Sequence, residues 1–257
     1  MKKIIFFIIC SVVLNFNCSS ERILIEEQEI IEEIAAPDEE INPDEEDDDA
    51  IVTENQNTFK ILGLGDSYTI GQSVCDTCKF PVQLKDSLIN NFNSDNEFEL
   101  KVIATTGWTT TNLIGAIDRE NINNDYNLVT LLIGVNNQYQ KKPFSIYESE
   151  FPQLVNTAIS KGKGDKKNVI VVSIPDYAYT PFGNGNTNIS TEIDRYNSFA
   201  EDYCTKNNIT YISITDITRM GLNNPELVAS DGLHPSKLAY TKFVERILPV
   251  AIEKLKD

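Results

Sequence analysis

Histidine occurs once in the 257 residues, as His234, so any imidazole chemistry has a single address. Five cysteines are present, but Cys10 and Cys18 fall in the N-terminal segment. Cys75, Cys78 and Cys204 are too few to make a zinc site without further ligands. Positive charge is scarce as well, with 22 Lys and Arg against 39 Asp and Glu and a net charge of −17. No basic patch interrupts this balance, which argues against nucleic acid as a partner. The apolar stretch Ile4 to Leu14 is too short to span a membrane. Nor is there an internal repeat, or a long apolar lid of the kind that would favour long-chain lipids.

The acidic residues are concentrated in one place. Between Glu21 and Asn57 stand sixteen of them against Arg22 alone, with Pro37 and Pro43 interrupting. Such a segment repels itself and reads as a disordered tether. Without it, and without Lys2 and Lys3, 23 acidic and 19 basic residues remain, so the rest of the chain is close to neutral. Met1-Lys2-Lys3 and the apolar run behind it form a secretory signal, and the position of Cys18 resembles that of the lipidated cysteine in bacterial lipoprotein signals. A plain signal peptide cleaved near Ser19 is the alternative. The expected organisation is a signal over residues 1–17, lipidated Cys18 and tether over 18–57, and one domain over 58–257.

Within that domain, apolar β-branched runs recur at Phe59 to Leu64, Leu100 to Ala104, Leu128 to Ile133, Val169 to Ile174 and Ile209 to Ile214. They are continuous rather than alternating, which means burial on both faces, as in a parallel sheet. Helical spacing follows each run, and a last helix, opened by Pro235, carries Leu238, Phe243, Val244, Ile247, Leu248, Ile252 and Leu255. The expected fold is a three-layer α/β/α sandwich with a mainly parallel five-stranded sheet, flavodoxin-like. Ligands bind beyond the carboxyl ends of such strands. Ser67, Gly107, Trp108, Gly134, Asn136, Asp176 and Tyr177 all fall there, with Asp231 and His234 in the loop before the last helix.

A serine hydroxyl becomes a useful nucleophile when an imidazole removes its proton and a carboxylate fixes the imidazole tautomer. Ser67, His234 and Asp231 supply these parts. An oxyanion also needs fixed donors, each worth roughly 3 kcal/mol of barrier. The candidates are the N–H groups of Ser67 and Gly107 and the side-chain amide of Asn136, preferred to Asn137 because alternation at the strand end turns only one of them inward. Taken singly, each motif has a plainer reading: Asp66 forms an Asx turn, Asp231 and Pro235 mark a helix entry, and the paired asparagines make a turn.

Together, Gly65-Asp66-Ser67-Tyr68, Gly134-Val135-Asn136-Asn137 and Asp231-Gly232-Leu233-His234-Pro235 resemble three blocks of the SGNH hydrolases, the GDSL esterase and lipase superfamily. Tyr68 replaces the usual leucine and Asn137 the usual aspartate; Gly107 fits the second block by its place after the second strand. The resemblance implies a serine esterase with Ser67 as nucleophile, acting without a cofactor on a small acyl ester or acylated glycan. Lysophospholipids and thioesters are alternative substrates. A non-catalytic glycan-binding module is the rival class, with Tyr68, Trp108, Tyr139, Tyr177 and Tyr179 as stacking candidates, and a thiol-disulfide protein is the third. For Cys75 and Cys78 the expectation is a loop-bracing disulfide. The domain is expected to be a monomer in the cell envelope, touching the membrane only through the Cys18 anchor.

Overall fold

The computed structural model describes residues 57–256; the signal segment, Cys18 and nearly all of the expected tether lie outside them. Five strands, β1 (Thr58–Gly65), β2 (Glu97–Ala104), β3 (Leu128–Leu132), β4 (Val169–Val172) and β5 (Thr210–Ile212), form one sheet in the order β2-β1-β3-β4-β5. All four pairings are parallel. The inner strands are the apolar runs of the sequence, and β3 and β4 are buried throughout. At the edge, β2 begins earlier than its apolar run, at Glu97, and alternates between exposed and half-buried residues there. A charged edge of this kind discourages pairing with another chain.

The helices are α1 (Ser67–Ile70), α2 (Phe80–Ile89), α3 (Thr110–Glu120), α4 (Val135–Tyr139), α5 (Phe144–Lys161), α6 (Thr187–Asn207), α7 (Thr215–Thr218) and α8 (Lys237–Lys256). On one face α2 packs against α8; α3, α5 and α6 pack in succession on the other. Continuous burial on both faces of the central strands follows from these two layers. The chain reverses its direction across the sheet between β1 and β3, which opens a crevice at their carboxyl ends.

Helix α8 departs from expectation at its start. Pro235 does not open it, because that residue sits in an antiparallel bridge with Val228. Helix α8 begins at Lys237, and the Ser236 hydroxyl caps it by accepting from the Ala239 N–H at 3.2 Å. Leu238 is one residue away from the inward stripe and faces solvent. The buried face is Tyr240, Phe243, Val244, Ile247, Ala251 and Leu255, spaced as one side of a helix. Phe243 is fully buried, so its truncation to alanine costs on the order of 3–5 kcal/mol.

Candidate active site

Strand β1 ends in a turn whose geometry admits little variation. A Cβ on Gly65 would lie 2.1 Å from the Thr69 hydroxyl and 2.4 Å from the Leu132 carbonyl, so only glycine lets β1 pass its neighbours there. Asp66 then accepts from the Tyr68 N–H at 3.1 Å and caps α1, leaving Ser67 as the first helical residue. This is the Asx turn that the plainer reading supplies, and it presents Ser67 at the crevice. Among the described residues no hydrogen bond engages the Ser67 side chain or its N–H.

The loop before α8 is closed by backbone bonds on both sides of the imidazole. Ala229 N–H donates to the His234 carbonyl at 2.7 Å, and Ser236 N–H to the Leu227 carbonyl at 2.9 Å. Proline at 235 loses nothing by lacking a donor here. His234 Nδ1 lies 2.6 Å from Asp231 Oδ2; a proton held on Nδ1 leaves the Nε2 lone pair free. The ring of Tyr68, standing where leucine is usual, is 5.4 Å from the imidazole and tilted by 53°.

Asp231 is surrounded by donors. Its Oδ1 accepts from the N–H groups of Leu233 and His234 at 2.9 and 3.0 Å, and its Oδ2 accepts from the Ser73 hydroxyl at 2.6 Å as well as facing the imidazole. Partial burial acts to raise its pKa, but the Ser73 hydroxyl, the His234 N–H and side chain and the Leu233 N–H outweigh it and hold the carboxyl well below the usual range. Ser73 gave no signal in the sequence. It sits at φ +65° between Gly71 and the bonded pair Cys75–Cys78, the disulfide expected there.

Asp66 is the opposite case. Burial pushes its carboxyl up to about 7, against the Tyr68 N–H, the adjacent Asn136 amide and its own backbone. Its Oδ2 has no aligned partner among the described residues, and neither has Asn136 Nδ2. The two asparagines of α4 are both buried, and since they are helical, strand alternation does not distinguish them. What does is their bonding. Asn137 accepts from the Thr110 N–H at 2.9 Å and donates to the Thr110 hydroxyl at 2.7 Å, tying α4 to α3, whereas the Asn136 amide makes no aligned bond and has only the Asp66 carboxyl beside it.

After β2, Trp108 N–H closes a turn onto the Thr105 carbonyl with Gly107 at φ +84°. Gln140 fixes the turn by donating to the Gly107 carbonyl at 2.7 Å, and no described group takes up the Gly107 N–H. Ser67, Gly107, Asn136 and His234 all line one cavity of about 170 Å³, walled by Tyr68, Tyr139 and Tyr177. Of the stacking candidates, Tyr68 and Tyr177 are buried, Trp108 packs against the core and Tyr179 is half-buried, while Tyr139 is exposed. Among the described residues no three His, Cys, Asp or Glu side chains converge as metal ligands. Cys204 is buried, its thiol pushed up to about 12 by burial.

The profile of the GDSL-like lipase/acylhydrolase family matches residues 64–242, from the end of β1 into α8. The chain belongs to this family. Several solved structures share its fold. A lipase/acylhydrolase from Enterococcus faecalis is 20% identical, with a TM-score of 0.60 over 76% of this chain and 96% of the other. An acetyl xylan esterase variant from Geobacillus stearothermophilus is 17% identical, also at 0.60, over 75% and 94%. A lipolytic protein of the G-D-S-L family from Veillonella parvula is 17% identical at 0.58, over 75% and 97%. No curated protein sequence matches the chain significantly.

Proposed function

We propose that this GDSL-family hydrolase is a serine esterase that removes a short acyl group through an acyl-serine intermediate. The observation that carries the reading is a set of groups around one small cavity that no aligned hydrogen bond takes up: the Ser67 hydroxyl, the N–H groups of Ser67 and Gly107, and the buried Asn136 amide, which has the Asp66 carboxyl beside it. Donors in a closed site without aligned partners are costly, and a developing oxyanion is a ligand that uses all three. In this mechanism Ser67 Oγ attacks the ester carbonyl as its proton passes to His234 Nε2, while Asp231 stabilises the imidazolium. The tetrahedral oxyanion rests on the three donors. Its collapse breaks the ester C–O bond, and the imidazolium protonates the departing alcohol. Water then attacks the acyl group, giving its proton to His234 and releasing the acid, after which the proton returns to Ser67.

The volume of the cavity suits an acetyl-sized group better than a long chain. The likeness in fold to an acetyl xylan esterase, at 17% identity, agrees with a glycan or other small ester as substrate but does not single one out. The N-terminal sequence adds export and attachment to the envelope through a lipid on Cys18, which the intact mass of membrane-extracted protein tests directly. For the chemistry, Ser67→Ala should reduce turnover of nitrophenyl acetate by at least about 10³-fold and abolish labelling by a fluorophosphonate. Equal turnover by the variant removes Ser67 from the mechanism.

A further inference from the structure

Beside the small cavity lies a second, larger one of about 640 Å³, and Tyr139 and Tyr177 belong to the walls of both. Tyr139 and Phe182 border it with more than half of their surfaces in water, at 53% and 52%. Among the described residues they are the two most exposed large hydrophobic side chains, and the only aromatic ones so exposed. Their rings are 6.1 Å apart, and each stands against the buried Tyr177, Tyr139 at 6.1 Å and Phe182 at 6.2 Å. Two neighbouring rings that stand against a buried third, yet lie half in water, offer a surface for stacking.

The rest of the lining is mixed: Phe144, Ile189 and Tyr196 add apolar surface and Lys141, Lys142 and Arg195 positive charge, beside amides and a carboxylate. Gln138 donates to the Glu192 carboxylate and accepts from the Tyr177 hydroxyl at 2.8 Å, so a hydrogen-bonded chain runs from the wall shared with the catalytic cavity to the groove. Asn186 and Asn188 add donors and acceptors. A lipid tail has no use for such groups, whereas a sugar presents apolar ring faces to the aromatics and hydroxyls to carboxylates and amides. We infer that this groove binds the alcohol part of the ester as an oligosaccharide, stacked on Tyr139 and Phe182, while the small cavity takes its acyl group. The inference rests on the esterase reading above and assigns its substrate class.

Phe182 lines the groove but not the catalytic cavity, so its removal separates the two. The experiment compares wild type and Phe182→Ala on nitrophenyl acetate, on O-acetylated xylose and glucosamine series of one to four units, and on lysophosphatidylcholine. In at least one sugar series, kcat/KM of the wild type should rise about tenfold with chain length. Phe182→Ala should lose that gain through KM while changing nitrophenyl acetate turnover by less than about twofold. The inference is overturned by rates independent of length in both series, by equal rates for the variant, or by faster, Phe182-dependent hydrolysis of the lysolipid. Should wild type hydrolyse no ester, the esterase reading falls. Calorimetric titration with the unacetylated tetrasaccharides then decides the groove alone, with binding lost in Phe182→Ala for it and no binding against it.

Discussion

Two aspartates serve one cavity from two segments and are treated oppositely by the fold. Asp66, in the turn after β1, is fully buried and has one aligned backbone donor on Oδ1 and none on Oδ2, so burial dominates and its carboxyl is held up to about 7. Asp231, before α8, is partly exposed and collects two backbone N–H groups, a hydroxyl and an imidazole, which keep it anionic. The residue type alone therefore says little about the role. Donors gathered on an oxygen, against the cost of leaving water, decide whether a carboxyl is a capping group or a fixed negative charge beside a base.

The largest expected effect comes from erasing the charge of the second aspartate. Asp231→Asn keeps the size of the side chain but favours the wrong imidazole tautomer, so kcat on nitrophenyl acetate should fall by about 10³-fold or more with the circular dichroism spectrum unchanged. A loss below about tenfold would show that the anion is not needed. Next comes the first aspartate, through stability. In the unfolded chain its carboxyl loses its proton near pH 4, whereas in the fold it keeps it to about 7. Between these values the unfolded state binds fewer protons, so stability falls as pH rises through the window and is flat above it. Asp66→Asn resembles the protonated acid and removes that slope. Its advantage over wild type should grow by about 2 kcal/mol between pH 5 and pH 8, read from urea midpoints. Parallel pH profiles for the two proteins would erase the contrast between the aspartates.

All five strands are legible in the sequence because each carries a run of apolar residues that two helical layers must cover. The start of β2 is not, since Glu97 to Glu99 lie at an edge where water is tolerated and the apolar signal fades. The entry to α8 went wrong for a different reason: proline has no N–H, which suits both a first helical turn and the bridge with Val228, and only the tertiary partner decides between them. Asn136 was preferred over Asn137 by strand alternation, which does not apply in helix α4; what separates them is the pairing of Asn137 with Thr110. Phe182 was passed over because nothing local distinguishes an exposed ring from a packed one. Ser67, Asp231 and His234 were legible because a single histidine leaves few ways to assemble a base.

Ser73 had no local signal at all, its partner Asp231 being 158 residues away, and it gives the smallest but sharpest test of how the second aspartate is held. Its hydroxyl shares Asp231 Oδ2 with the imidazole and so fixes where that oxygen stands relative to the ring. Ser73→Gly deletes the hydroxyl and at the same time suits φ +65° better than serine does, so the backbone should be relieved rather than harmed. A residue that mattered only for the loop would then be neutral or stabilising on replacement. If instead Ser73 positions Asp231, kcat should drop about tenfold at unchanged KM. An intact kcat would mean that Asp231 is held by the Leu233 and His234 N–H groups alone.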